Sequence, residues 1–127
     1  MTTEPTDSFS FHRAILAEFV EKLPKALAEV VQEEQQQELM ENLHQACNEL
    51  DTDQANGWHL GQNWLFSFIG NHPQLTPVVP RDLLWFFGGD CLHFLTDEEI
   101  SRFQQIEDRV AEEGSNWADV RRQVMNH

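Results

Sequence analysis

The chain has 127 residues, with 22 Asp plus Glu against 8 Lys plus Arg and a formal charge of -14 at pH 7. That length buries a hydrophobic core without metals or disulfide staples and argues against a second independent domain. The charge repels phosphate backbones and anionic lipid alike, so direct nucleic-acid or membrane binding is disfavoured.

The acidic excess runs through both halves, 12 acidic to 3 basic residues in 1–63 and 10 to 5 in the remainder, so the body carries it rather than a tail. Cys47 and Cys91 are too few and too far apart for a secreted disulfide framework, which predicts reduced thiols. The opening MTTEPTDS lacks a basic or apolar leader pattern, and the longest apolar runs, Trp64 to Ile69 and Leu83 to Phe87, fall far short of a bilayer span. These features predict a cytoplasmic protein.

Residues 1–7 show no periodicity and read as a mobile arm, with 8–127 as a single helical domain. A first helix is expected from Asp7 or Ser8, since Phe11, Ile15, Leu16, Phe19, Val20 and Leu23 recur at spacings of three and four. Pro24 fits the first turn of a new helix, so Leu23-Pro24 reads as a helix junction. The stripe Leu27, Val30, Val31, Leu39, Leu43, Ala46, Cys47, Leu50 is interrupted by QEEQQQE at Gln32 to Glu38. One long helix or two are both compatible with it, and the absence of Gly and Pro modestly favours continuity.

Asp51-Thr52-Asp53 is expected to end that segment and cap the next, which carries Trp58, Leu60, Trp64, Leu65, Phe68 and Ile69. Gly57 and Gly61, four apart on one face, read as close helix packing rather than a ligand groove. Gly70-Asn71-His72-Pro73 is a helix stop, and Pro73, Pro77 and Pro80 predict an extended connection. Pro80 then opens a short helix, PRDLLWFF, ended by Gly88-Gly89, with a further helical turn from Asp90 to Leu95. Thr96 and Glu99 have the spacing of a capping box, opening a helix with Ile100, Phe103, Ile106 and Val110 on one face and a stop near Gly114. Ser115 can cap a last helix with Trp117, Val120 and Val124 inward and Arg121 and Arg122 outward. With no strand-like alternation, an all-α compact bundle of five to seven helices follows.

Chemistry-bearing residues crowd the second half without forming a complete constellation. His44-x-x-Cys47 and Cys91-x-His93 together hold the donor types of a tetrahedral zinc site, but thiols on apolar stripes are ordinarily small core residues. Asp90, Cys91 and His93 loosely imitate a nucleophile and base, yet the apolar neighbours in FFGGDCLHFL raise a thiol pKa rather than lower it. No catalytic residue, metal or cofactor is therefore assigned. Arg81 and Asp82 read as an ionic fixture tying the proline loop to the bundle, with an anion at Arg81 as the lesser alternative. Asp82, Asp90 and Asn63 are expected acceptors for tryptophan indoles. Trp64, Phe68, Trp85, Phe86 and Phe94 would line any apolar pocket, though aromatics at helical spacing more simply make a core.

The string PRDLLWFFGGDCLHFLTDEEISRFQ, with the preceding HPQLTPVV, resembles a group of small uncharacterised gammaproteobacterial proteins. The resemblance covers His72 to Gln105, leaves the N-terminal half unmatched, implies a bacterial cytoplasmic protein and transfers no catalytic residue. Helical faces and aromatics exceed identifiable chemistry. The leading expectation is therefore a noncatalytic acidic interaction or regulatory protein, self-associating as a homodimer or other homo-oligomer, its protein partner unknown. The contact regions would be the QEEQQQE helix and the exposed side of Trp58 to Phe68. A nucleic-acid mimic directed at a basic groove and a small apolar-ligand-binding protein are the alternatives.

Overall fold

Residues 7–114 and 116–125 are described by a computed structural model, in which they form six α-helices and two short 3-10 helices with no strand among them. The helices are α1 (Ser8–Ala28), α2 (Glu33–Thr52), α3 (Gln54–Asn71), α4 (Arg81–Phe87), α5 (Asp97–Glu113) and α6 (Trp117–Met125). The 3-10 helices, Pro73–Val78 and Gly89–Phe94, flank α4. The expected mobile arm falls mostly on residues 1–6, and the expected cap on Ser115; both lie outside the described residues. None of the helices among the described residues is long and apolar enough to cross a membrane.

Asp7 caps α1 by accepting the Ser10 amide at 2.7 Å. The buried face of α1 is His12, Leu16, Phe19, Leu23 and Leu27, so the stripe sits one residue round from the expected one and carries a histidine at a core position. Leu23-Pro24 is not a junction: the helix runs through Pro24 to Ala28. Proline removes one backbone hydrogen bond there, but Leu23 and Leu27 on either side are fully buried and hold the last turn against the core.

The break falls later, at Glu29 to Gln32, so the favoured single helix does not occur; the polar run itself is helical from Glu33, within α2. Val31 turns inward, the Gln36 amide donates to the Val31 carbonyl at 2.6 Å, and Glu33 and Glu34 occupy the first turn of α2, where carboxylates complement the helix dipole. A helix start thus needs neither Gly nor Pro.

Asp53 alone joins α2 to α3 and caps α3 through the Asn56 amide. The two helices are antiparallel: Leu50 lies against Gly57, Asn56 donates to Glu49, and the Trp64 indole donates to the Leu39 carbonyl at 3.0 Å. The proline connection is coiled rather than extended. Pro73 takes the first 3-10 position, where its missing N–H is not needed, and Thr76 Oγ1 donates to the Pro73 carbonyl. Pro80 is the residue before α4 rather than its first. The capping box is present in full, Glu99 N to Thr96 Oγ1 at 3.1 Å and Thr96 N to Glu99 Oε1 at 2.9 Å, and Gly114 ends α5 in the left-handed conformation. A continuous core from Leu16 to Val124 draws on all six α-helices.

Candidate functional site

The end of α4 organises an open aromatic cleft. The last carbonyls of a helix have no intrahelical partner. The Phe87 carbonyl meets that need by accepting two side-chain donors from α3, Trp58 Nε1 and Gln62 Nε2, each at 2.8 Å. The chain must then turn away within a residue, and Gly88, at φ 62 and ψ -148, adopts a backbone conformation open essentially to glycine. At Gly89, φ 55, a Cβ would lie 2.4 Å from the Gln62 amide nitrogen that reaches for Phe87. The double glycine thus makes room for the α3–α4 clamp.

Above this clamp lies an open cleft of about 430 Å³. Phe86 forms its floor, stacked on His12 at 5.1 Å and on Trp58 at 5.0 Å between ring centroids. Phe9, Trp85 and Leu92 contribute walls, and Ser8, Gln54 and Glu107 line it as well. Trp85 stacks on Phe103 and donates its indole proton to Glu107 Oε1 at 2.9 Å, which fixes the carboxylate beside the aromatic wall. Trp58 remains 37 % exposed.

His12 is only 1 % exposed. Its Nδ1 lies 2.7 Å from the Ser8 carbonyl, an acceptor, so that nitrogen carries the proton and Nε2 presents a lone pair. Burial pushes its pKa below the ordinary histidine value. Nε2 and the neighbouring Trp117 Nε1 are buried and have no hydrogen-bond partner among the described residues, an acceptor and a donor on rings 5.2 Å apart.

The expected site residues are dispersed. Arg81 and Asp82 do not pair with each other. Arg81 grips Glu99 through two bonds, at 2.8 and 2.7 Å, and donates to the Phe94 carbonyl, holding the Glu99 carboxyl down at about 2. Asp82 is buried and takes two bonds from Arg121, at 2.6 and 2.8 Å, so Arg121 reaches back to α4 and is half-buried rather than directed outward. Among the described residues no tryptophan indole uses Asp82, Asp90 or Asn63: Trp58, Trp64 and Trp85 use Phe87, Leu39 and Glu107.

The five pocket aromatics divide among three places. Trp85 and Phe86 line the cleft above α4. Trp64 and Phe68 stack at 4.8 Å in a second cleft, of about 390 Å³, between α2 and α3, and Phe94 sits against Phe66. The four metal candidates are also apart: Cys91 donates to the Gln62 carbonyl, Cys47 senses Arg13 and Asp51, His93 lies 3.9 Å from Asp90, and His44 is exposed on α2. Among the described residues no three His, Cys, Asp or Glu side chains gather as metal ligands. The Cys91 thiol is fully buried, and desolvation with Asp90 nearby pushes it up to about 11, the reverse of an activated nucleophile.

Phe9, His12 and Glu107 are not legible as cleft residues in the sequence. The only local hint is the inward helical register of His12 with Leu16, Phe19 and Leu23.

Fold and cleft together define an acidic all-α protein with an open aromatic cleft. The chain belongs to the PA2817-like family, which matches residues 5–125 and so takes in the N-terminal half that the His72 to Gln105 signature leaves out. No curated protein and no solved structure matches it.

Proposed function

We propose that this chain is a noncatalytic interaction or regulatory protein of the bacterial cytoplasm that engages its partner through the aromatic cleft above α4. The observation that carries this reading is the half-open stack His12–Phe86–Trp58, with an exposed indole at its outer end. Tryptophan is costly to leave in water and is enriched where interfaces concentrate their energy. The clamp on the Phe87 carbonyl holds the cleft's inner wall in place, which lowers the ordering cost of binding.

A photo-crosslinking residue at Gln54, on the cleft, and another at Asn42, on the second cleft, test this in the producing cell. The expected result is a discrete adduct from position 54 and none from 42, with a mass of twice the chain if the partner is a second copy. No adduct from 54, or the same adducts from both, overturns it. Binding of a small apolar ligand is the second reading. It is favoured by a cleft volume of about 430 Å³, within the range of small-molecule sites. Native mass spectrometry of freshly purified protein reads it directly as a bound mass.

A further inference from the structure

The cleft's chemistry says more than that it is apolar. Its lining is aromatic, with Phe9, Trp58 and Trp85 around the buried Phe86, and among the described residues its one charged lining residue is Glu107 and no Lys or Arg lines it. The segments that line it also carry a carboxylate next in sequence: Asp7 beside Ser8, Asp53 beside Gln54, Asp90 beside Gly89. Two helix starts lie there, those of α1 and α3, and such amide ends ordinarily attract anions. Here Asp7 and Asp53 already cap them, so that capacity is used internally.

Among the described residues the chain also has almost no cation free to neutralise this region. Arg13, Lys22, Arg81, Arg102, Arg109, Arg121 and Arg122 each sit in an ion pair with a carboxylate of the chain, which leaves Lys25. Aromatic faces attract cations through their quadrupole, and a carboxylate fixed at the edge of such a wall adds a charge-assisted partner. Long basic side chains match both features, with an apolar stem for the rings and a charged head for the edge.

We infer that the cleft receives a lysine or arginine side chain from an apolar, basic segment of a protein partner, its stem against Trp58 and Trp85 and its charged head at Glu107. This rests on the interaction reading above and adds the chemistry of the occupant.

The test is titration of the ¹⁵N-labelled full chain with a short amphipathic Leu/Lys peptide and with the same peptide carrying Gln, then Glu, in place of Lys. The Lys peptide is expected to shift the Trp58 and Trp85 indole resonances, to leave those of Trp64 and Trp117 in place, and to weaken with added salt. The Gln peptide should bind roughly tenfold more weakly, the Glu peptide more weakly still. Glu107→Gln, on an exposed residue whose amide oxygen can still accept the Trp85 proton, should lower Lys-peptide affinity about threefold and leave the Gln peptide unaffected.

Equal binding of Lys and Gln peptides at the cleft overturns the cationic occupant while leaving the interaction reading standing. Shifts centred on Trp64, or no shift with any peptide at millimolar concentration, also overturn it. Failure of the position-54 crosslink is instead a failure of the interaction reading itself.

Discussion

The two ends of α3 each border a cleft of similar size, about 430 Å³ near its start and about 390 Å³ toward its end, and they are built in opposite ways. Near the start, Gly57 abuts the backbone of Leu50, Gly61 abuts the Phe87 ring, and Trp58 and Gln62 both donate to one carbonyl. Toward the end, Asn63, Ser67 and Asn71 follow at steps of four along the exposed edge, facing Asn42 and Gln45 of α2 across Trp64 and Phe68. These polar side chains are exposed, and Gly70, in the last turn of the helix, has open space around it. A cleft held by backbone contact and by a doubly bonded carbonyl keeps its shape before a partner arrives. The second cleft is tied by a single bond of that kind, from the Trp64 indole to the Leu39 carbonyl, against two on Phe87, and for that reason the first carries the functional proposal.

Substitution of Gly57 attacks this contrast most directly. A Cβ there would lie 2.2 Å from the Leu50 nitrogen, and backbone cannot rotate aside as a side chain can. Gly57→Ala is expected to destabilise the fold by about 3 kcal/mol or more, by forcing α2 and α3 apart. Gly61→Ala meets the tip of the Phe87 ring at 2.3 Å, a group that can shift, so about 1–3 kcal/mol is expected, together with altered Trp58 fluorescence. Urea denaturation of both variants measures the difference; equal costs would mean that the α2–α3 contact is no tighter than the α3–α4 one.

The Asp82–Arg121 pair comes next. Asp82 is buried near the start of α4, and Arg121 brings α6 to it. Asp82→Ala is expected to cost about 2 kcal/mol, below the range for breaking a fully buried pair because Arg121 retains partial access to water. A cost indistinguishable from that of Asp119→Ala, whose ion pair with Arg122 is exposed, would show that burial adds nothing to this pair.

What is legible in the sequence follows the range of the interactions. The capping box Thr96–Glu99, the stop at Gly114 and the Asp53 hinge are readable because both partners lie within a turn of each other. The glycine pair of α3 is readable as close packing, though not what it packs against. Pro24 misleads because local propensity is opposed by Leu23 and Leu27, whose burial depends on the whole bundle. The join before the polar run misleads in the other direction: nothing local breaks the helix at Glu29 to Gln32, and Val31 turns inward through tertiary contact. The cleft draws on Phe9, Trp58, Phe86 and Glu107, from four helices, and the ion pairs of Arg81 and Asp82 span 18 and 39 residues. No periodicity encodes such pairings.

A titration separates the buried histidine under the cleft from the surface ion pairs. His12 has a folded pKa below its ordinary 6.5 because burial disfavours the imidazolium. Below pH 6.5 the unfolded chain therefore binds a proton that the folded chain refuses. The contribution of neutral His12 is complete above 6.5 and is lost progressively as pH falls. Glu99 acts lower: its value drops from 4.5 to about 2 through Arg81, so its contribution is present above 4.5 and fades as pH falls toward 2. Denaturant midpoints should thus decline in two steps. His12→Gln should flatten the upper step, and Glu99→Gln the lower. An upper step unchanged in His12→Gln would remove this histidine as its source.

The smallest expected effect lies at the open end of α3. A Cβ at Gly70 would meet no neighbouring heavy atom within 4 Å, and the residue has no positive φ, so nothing in the bundle requires glycine there. Alanine loses less backbone entropy on entering a helix, and Gly70→Ala is expected to stabilise by about 0.5–1 kcal/mol. The sign matters more than the size, because the same substitution at Gly57, on the same helix, is expected to be strongly destabilising. If Gly70→Ala instead lowers stability, the final turn of α3 is held in place by contacts that its open surroundings do not show, and the contrast between the two ends of the helix weakens. If it raises the denaturation midpoint and leaves the Trp58 and Trp85 indole resonances in place, the second cleft can be stiffened independently of the first.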